Sequence, residues 1–266
     1  MTEIETTGAA SPRDPLTLFV FTPRGGMERL FGPVHTITDY EAAMADSFGD
    51  WVESTPVRLR IERLSATGTV GERDRFNADG TLQDHAVYAY ERDGRLIERT
   101  HYDGQGNAYL RYTYTADNEG RLVEMTGLDP NGAERSRLQR HYTDDGRLAG
   151  LVEWRDTTDG RGPEESQWRI GYANDGSVTH AESEMRRDGE LIERTMVRYD
   201  RAGNVSETAR LAADGAWIEK SRQLFGPQKE RGNWVRRVTE HCVRRFGQEQ
   251  FQPVSVTYRR FTFYAD

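Results

Sequence analysis

The sequence is poor in cysteine and in lysine. Cys242 is the only cysteine among 266 residues, which excludes an intramolecular disulfide framework and predicts a reducing compartment. Lys220 and Lys229 are the only lysines among 36 basic residues. This preference for arginine favours recognition through guanidinium forks, although a GC-rich genome would produce the same composition.

Long hydrophobic runs are also missing. Residues 17–22, LTLFVF, form the only dense apolar run near the start, and they are too few to span a membrane. The first sixteen residues lack the basic and hydrophobic segments of a secretory leader. We therefore expect no membrane span and a cytoplasmic location, with export by a signal-independent route as the alternative. Residues 1–15 are predicted to be a disordered tail, and residues 16–266 a single β domain.

Apolar residues are few for a chain of this length. Hydrophobic residues make up 35% of the sequence and the mean hydropathy is −0.83, yet the chain has five Trp, twelve Tyr and ten Phe. This composition is typical of a thin sheet, which buries fewer positions per residue than a thick two-layer domain. The net charge of −8 argues against nucleic acid as a general partner.

Glycines recur along the chain at intervals of 12 to 17 residues. A helix breaker at this interval excludes long helices and leaves room for short strands between turns. Many of these glycines follow Asp or Asn, and such pairs accept the positive φ angles of tight hairpin turns. The predicted turn glycines are Gly80, Gly94, Gly120, Gly132, Gly146, Gly176, Gly189, Gly203 and Gly215, joined by Gly68, Gly106, Gly160 and Gly232. Gly150 lies outside this series, so Gly146→Val is predicted to destabilise the fold far more than Gly150→Ala, because only Gly146 needs a positive φ.

A tyrosine and an aliphatic residue flank several of these turns. Tyr90 and Leu96 stand six residues apart around Gly94, a spacing that places both on one face as a cross-strand pair. The same spacing relates Tyr142 to Leu148, Tyr172 to Val178, Tyr199 to Val205 and Leu211 to Trp217, and a spacing of eight relates Tyr114 to Leu122. The recurring tyrosines are therefore predicted to be structural.

The predicted fold is all-β: one long antiparallel β-meander of hairpin repeats, about fifteen strands in a single twisted or coiled sheet. The repeats run from about residue 57 to 235. An open sheet leaves its terminal strands unpaired, so strand addition by a partner or self-association is expected there. Residues 35–50 fit either a helix, because Thr38 and Glu41 form a capping-box pattern, or a hairpin around Phe48 and Gly49, which we favour.

Three phrases, YERDGRL (90–96), YTDDGRL (142–148) and YDRAGNV (199–205), resemble the tyrosine–aspartate (YD) repeat of the rearrangement-hotspot (RHS) family. The resemblance covers about residues 30–264, and the chain looks like a small stand-alone bacterial member. In large members the repeats form a spiral β-shell around a toxin domain, a cargo that this chain is too short to enclose. By analogy with small repeat proteins of toxin loci, the resemblance also implies an immunity role.

No convergent group of reactive side chains is recognisable. His241 and Cys242 are adjacent, so on a strand they point to opposite faces. The six histidines lack metal-ligand spacing, and the acidic turns lack a calcium-loop pattern. The sequence also has no phosphate-binding loop and no nucleophile elbow. We therefore predict no catalytic residues, no metal site, no cofactor and no enzyme activity.

The C-terminal segment departs from the acidic character of the rest. Residues 217–266 carry ten basic and five acidic residues. Each adjacent arginine pair sends one guanidinium to either face of a strand, and such forks beside aromatic rings suit an acidic protein surface. The predicted partner-binding residues are Arg236, Arg237, Arg244, Arg245, Arg259, Arg260, Trp234 and Tyr258. Solvated strand faces are the simpler interpretation of these charges.

The predicted function is that of a non-catalytic protein–protein interaction module, a scaffold or assembly component of a bacterial system. The partner is expected to be another protein, bound through the sheet face or the terminal edge strands. The first alternative is an immunity or antitoxin-like inhibitor of a toxic enzyme. The second is a carbohydrate-binding protein or an enzyme that uses exposed aromatic residues.

Overall fold

A computed structural model describes residues 30, 32–156, 162–227, 229–245 and 248–265. Its elements are strands, with no helix among the described residues. The strands are β1 (Val34–Ser47), β2 (Asp50–Glu53), β3 (Val57–Leu64), β4 (Val70–Phe76), β5 (Leu82–Tyr90), β6 (Leu96–Tyr102), β7 (Ala108–Ala116), β8 (Leu122–Leu128), β9 (Glu134–Tyr142), β10 (Leu148–Arg155), β11 (Glu164–Tyr172), β12 (Val178–Arg187), β13 (Glu190–Tyr199), β14 (Val205–Ala212), β15 (Trp217–Phe225), β16 (Lys229–Glu230), β17 (Asn233–Trp234), β18 (Arg236–Arg245) and β19 (Gln248–Phe263). The predicted tail and the turn at Gly160 lie outside the described residues.

Sixteen of the described strands close into an antiparallel barrel. From β3 to β15 each strand pairs with the next along the chain, and β15, β18 and β19 continue the series. Closure is made by β1, which pairs with β19 on one side and with β3 on the other. The all-β prediction is confirmed. The predicted twisted or coiled single sheet is an incomplete description, because the sheet closes on itself. The expectation of unpaired terminal strands is wrong, since the first and last barrel strands pair with each other.

Most hairpins share one turn, and its hydrogen bonds explain the glycine series. In the turn after β5, the amide of Gly94 donates to the carbonyl of Glu91 at 3.0 Å, and the amide of Glu91 donates to Arg95 at 2.8 Å. This is a type I turn followed by a left-handed residue, and Gly94 has φ +87°. All predicted turn glycines within the described residues have positive φ. In the turns of the Gly94 type the Asp or Asn before the glycine does not have the positive φ that the sequence analysis expected for such pairs; among the predicted pairs that the structure describes, only Asp188 before Gly189 has it.

The aspartate and the tyrosine of the repeat each have a defined bond. Asp103, first in its turn, accepts from the amides of Gln105 and Asn107, both at 2.9 Å, and these bonds lower its pKa. The Tyr90 hydroxyl donates to the carbonyl of Val70 at 2.7 Å, which joins the end of β5 to the start of β4. Equivalent bonds are made by Tyr142 to Leu122 and by Tyr172 to Leu148.

The predicted cross-strand pairs are confirmed except for one. Tyr90 lies opposite Leu96, and the pairs Tyr142–Leu148, Tyr172–Val178, Tyr199–Val205 and Leu211–Trp217 have the same register. Tyr114 instead lies opposite Met125, because that turn has the common length and Ala116 occupies the position opposite Leu122.

Three described turns contain only two residues between paired strands. In them the residue before glycine also has positive φ: Phe48 (58°), Asp188 (51°) and Arg231 (47°). The first joins β1 to β2 with Ser47 opposite Asp50, which confirms the hairpin favoured for residues 35–50 over the helix. A two-residue turn with both residues left-handed matches the twist of the strands that it joins.

One face of the barrel strands is consistently more buried than the other. Along β5, for example, Asp84 and Ala86 are buried while Gln83 and Val87 are exposed. Following the register around the barrel places the buried set on a single face, which is the inward face of a closed sheet. A small apolar cluster of Val34, Ile37, Leu64, Val70 and Phe261 fills one end, and many other buried inward side chains are charged.

Candidate functional site

The arginine pairs predicted to form one patch are divided between the two faces of the wall. Arg259 points inward and is buried. Its Nε and Nη2 donate to the Asp39 carboxylate at 2.7 and 2.9 Å, and its guanidinium lies 3.9 Å from the centre of the Trp234 ring. Arg237 also approaches this ring, at 5.1 Å. The predicted contribution of Arg259 and Trp234 to an exposed surface is therefore wrong, since both are part of the interior.

On the outer face, Arg236 and Tyr258 hold the β1–β2 hairpin. Arg236 Nη2 donates to Glu53 Oε1 at 3.1 Å, and the Tyr258 hydroxyl donates to the other oxygen of Glu53. The hydrogen bond from Tyr258 lowers the pKa of Glu53, with Arg236 acting in the same direction. A backbone bond from Ser54 to Ala43, at 2.9 Å, adds to this attachment.

The remaining members of the predicted patch lie apart from one another. Arg260 stacks on Tyr40 at 5.1 Å. Arg244 forms an ion pair with Glu249 at 3.6 Å and lies 6.0 Å from the Trp217 ring centre. The side chain of Arg245 lies outside what the structure describes. The geometry does not bring the eight predicted residues together as one surface.

The β1–β2 hairpin leaves the barrel wall and exposes apolar side chains. β1 pairs with β19 only as far as Ala43, and residues 44–47 pair with β2 instead. Phe48 at the tip is fully exposed. Trp51 and Val52 on β2 are exposed as well, and so are Val57 and Leu59 at the start of β3. We call Phe48, Trp51 and Val52 the apolar tip.

The sequence contained a signal for the apolar tip. A left-handed backbone at a turn favours Gly, Asn or Asp, and a bulky aromatic residue there is an outlier. Exposing a large aromatic side chain adds to this cost. The sequence places Phe48 directly before Gly49 in a predicted hairpin. This position therefore indicated an aromatic side chain that the fold itself does not require.

Elsewhere the outward face of the described strands carries many charged side chains, with exposed hydrophobic residues such as Ile218 and Leu224 among them. Several ion pairs cross it between neighbouring strands, among them Arg63–Asp74 at 2.8 Å, Arg111–Glu98 at 3.9 Å, Arg194–Glu184 at 3.4 Å and Arg222–Glu240. Lys220–Glu249, at 3.6 Å, spans β18 from β15 to β19. A lipid-facing barrel carries a continuous apolar band on this face. The side chains found here suit contact with water or with polar protein surfaces.

A shallow outer depression of about 430 Å³ lies beside β5 and the turn after β6. His85 is part of it, and His85 Nδ1 is 2.7 Å from Asp74 Oδ1. Asp74 also accepts from Arg63 at 2.8 Å, so the carboxylate serves a cross-strand network. Within the described residues no group of three or more His, Cys, Asp or Glu side chains could hold a metal ion. The described residues also include no helix able to cross a membrane.

No protein-family model matches the sequence, and no curated protein matches it either. The fold is similar to that of a porin-like protein from Bacteroides uniformis, at a TM-score of 0.53 and 14% identity, over 88% of this chain and 98% of that chain. A porin-like protein from Bacteroides vulgatus matches at a TM-score of 0.45 and 9% identity, over 87% and 98% of the two chains. The Tc holotoxin pore of Photorhabdus luminescens matches at a TM-score of 0.17 and 13% identity, over 71% and 14%. The resemblance to the RHS family remains a prediction.

The prediction of a cytoplasmic location is wrong. It was based on the single cysteine, on the composition of the first sixteen residues and on the lack of a long apolar run. The chain instead closes into a 16-stranded barrel, and this architecture is the one it shares with the Bacteroides uniformis porin-like protein. A barrel closes through pairing of strands and needs no long apolar run.

Proposed function

We propose that the protein is a non-catalytic binding module that recognises another protein through its apolar tip. The observation that carries this proposal is Phe48, an aromatic residue fully exposed in a left-handed backbone conformation at the end of a hairpin. Large aromatic side chains are typical anchors of protein interfaces, because they bury much area with few rotatable bonds.

The attachment of the hairpin supports this function. Glu53 accepts from Arg236 and Tyr258, so the ribbon is held against the wall while its tip projects. A surface fixed before binding loses less conformational entropy when a partner docks. Phe48 is also more exposed than any of the large hydrophobic side chains exposed on the described barrel strands, such as Ile218 and Leu224, which supports the tip as the contact region.

The test compares the apolar tip with an exposed apolar residue outside it. A Phe48→Ser, Trp51→Ser, Val52→Ser triple variant removes the tip, and Leu224→Ser, on β15, is the matched control because Leu224 is also exposed. We expect the wild type and the control to retain one stoichiometric partner from the native host after crosslinking, and the triple variant to lose it. Circular dichroism checks that all three proteins are folded.

The result separates scaffold from inhibitor and from other roles. A partner that keeps its enzymatic activity in the complex supports the scaffold, and one whose activity is silenced supports the immunity role. Equal partner recovery with the triple variant and the control would overturn the proposal. So would binding to phosphatidylcholine vesicles that depends on the tip while no protein partner is recovered.

A further inference from the structure

Charged side chains form a row on the inward face where the barrel closes. In register across β19, β1, β3, β4 and β5, the row reads Arg259, Asp39, Arg60, Arg75 and Asp84. The neighbouring row contains Glu62 opposite Arg73. Four arginines therefore meet three carboxylates, and two of the arginines, Arg60 and Arg75, lie directly opposite each other.

Each of the three carboxylates already has at least one partner, although Asp84 Oδ2 accepts no hydrogen bond from the described residues. Asp39 accepts from Arg259 at 2.7 and 2.9 Å and from Arg60 at 2.6 Å. Glu62 lies 3.1 Å from Arg60 Nη1. Asp84 Oδ1 accepts from the Tyr109 hydroxyl at 2.6 Å and contacts His101 Nδ1 at 2.8 Å.

Arg75 and Arg73 have little counter-charge close to them. Arg75 makes no hydrogen bond or ion pair with the described residues, and it is half-buried, so solvent reaches it. Burial and the adjacent charge of Arg73 lower the pKa of Arg75, and the opposing effect of Asp84 is too small to restore it. Arg73 is only 2% exposed, its Nε has no partner, and its nearest carboxylate oxygen, on Asp84, is 4.0 Å away. Holding two such cations beside a single carboxylate that already serves His101 and Tyr109 is unfavourable.

We propose that Arg75 and Arg73 bind a small oxyanion on the inward face of β4. The two residues alternate along one strand, so both guanidinium groups point to the same side. Guanidinium forks match the planar geometry of a carboxylate and the oxygens of a phosphate. Arg75 lies next to Phe76, the last residue of β4, so the site is near a barrel mouth. A phosphate and a carboxylate share this chemistry.

The test measures anion binding to the whole protein. Isothermal titration with sodium phosphate and with sodium acetate, at constant ionic strength kept with sodium chloride, is done on the wild type, Arg75→Gln, and the control Arg111→Gln. Arg111 lies on the outward face with one distant partner, Glu98 at 3.9 Å. We expect saturable binding of at least one anion, weakened about tenfold or more by Arg75→Gln and unchanged in the control.

Further measurements separate the possible outcomes. Binding of phosphate alone identifies a phosphate-type ligand, and binding of acetate identifies a carboxylate; both support the site. Nuclear magnetic resonance of the arginine Nε–H groups in the wild type should show perturbed signals that are missing in Arg75→Gln. A wild type that responds to phosphate and acetate only as it does to chloride, or equal affinity in Arg75→Gln and the control, would overturn the proposal. Substitutions in the apolar tip do not affect this site. The experiments on partner binding and on anion binding therefore test the two proposals independently.

Discussion

The inward arginines of the two sides of the barrel differ in what surrounds them. On the far wall, β10 to β15, each has a carboxylate partner: Arg155 with Glu153 at 2.5 Å, Arg187 with Glu164, and Arg210 with Glu193 at 2.6 Å and Glu219 at 3.3 Å. On the closing wall, β19, β1 and β3 to β6, Arg75 has none, and Arg99 lies between Tyr88 and Tyr112. Arginines that are paired with carboxylates stabilise the barrel wall, whereas an arginine without such a partner can bind an anionic ligand.

The largest effect is expected from removing the carboxylate that two closing-wall arginines share. Asp39→Asn leaves buried Arg259 and its neighbour Arg60 without their anion, and we expect a loss of about 3–5 kcal/mol in the free energy of unfolding. Chemical denaturation would measure it. Glu98→Gln, an exposed outward carboxylate, is the control and should change stability by less than about 1 kcal/mol. Similar losses in both variants would mean that the Asp39 network contributes little.

Removing one arginine from each wall tests the comparison directly. Arg210→Gln strips the guanidinium from buried Glu193, and should cost about 2–3 kcal/mol. Arg75→Gln removes a cation that has no partner, so stability without added anion should stay within about 0.5 kcal/mol or rise. Thermal melts in a phosphate-free buffer measure both. A larger loss of stability in Arg75→Gln than in Arg210→Gln would contradict the proposed difference between the two walls.

Acid should weaken the closing wall through Asp84. Burial raises the pKa of Asp84, but the bonds from His101 and Tyr109 outweigh it and bring the value to about 2. A lowered pKa stabilises the folded state above the unfolded value of about 3.9, and this stability is lost as pH falls toward 2. Asp84→Asn should cost about 1–3 kcal/mol at pH 7 and flatten this part of the acid profile. An unchanged slope of stability between pH 4 and pH 2 would contradict the assignment.

The smallest change in stability is expected from substitutions in two of the two-residue turns, one near each wall. Phe48 and Asp188 have the same left-handed conformation, which Asn adopts more readily than Phe does. Phe48→Asn should therefore raise stability by about 0.5–1 kcal/mol, while Asp188→Asn leaves it nearly unchanged. Differential scanning calorimetry measures both, and partner recovery should fall only for Phe48→Asn. Loss of stability in Phe48→Asn would show that the aromatic ring packs against the fold.

Local features of the fold could be predicted from the sequence, and long-range ones could not. The pair Tyr90–Leu96 and the φ of Gly94 depend on seven consecutive residues. Closure of the barrel depends on the pairing of β1 with β19, and no local sequence pattern predicts that pairing. Gly150 shows the same limit: it needs no positive φ, as predicted, but an added Cβ would lie 2.3 Å from the carbonyl oxygen of Trp168, a long-range contact that makes Gly150→Ala costly as well.

The candidate sites were hidden for a related reason. Alternation along β19 separates Arg259 from Arg260, but both faces of the strand carry charge, so the sequence does not say which arginine points inward. Arg75 was missed because its isolation is defined by neighbours on β3 and β5 that already have other partners. Phe48 was the exception, since an aromatic residue before the turn glycine is visible without any structure.

Closure also has a consequence for how the chain reaches its folded state. The hydroxyls of Thr36 and Thr262 lie 2.6 Å apart although 226 positions separate them along the chain. Contacts between such distant segments slow folding, because the intervening loop must be ordered first. During synthesis β1 emerges long before β19, and its edge stays open until the final strand arrives. A ribosome-bound intermediate is thus the form most exposed to mispairing, and a chaperone that shields this edge would act there.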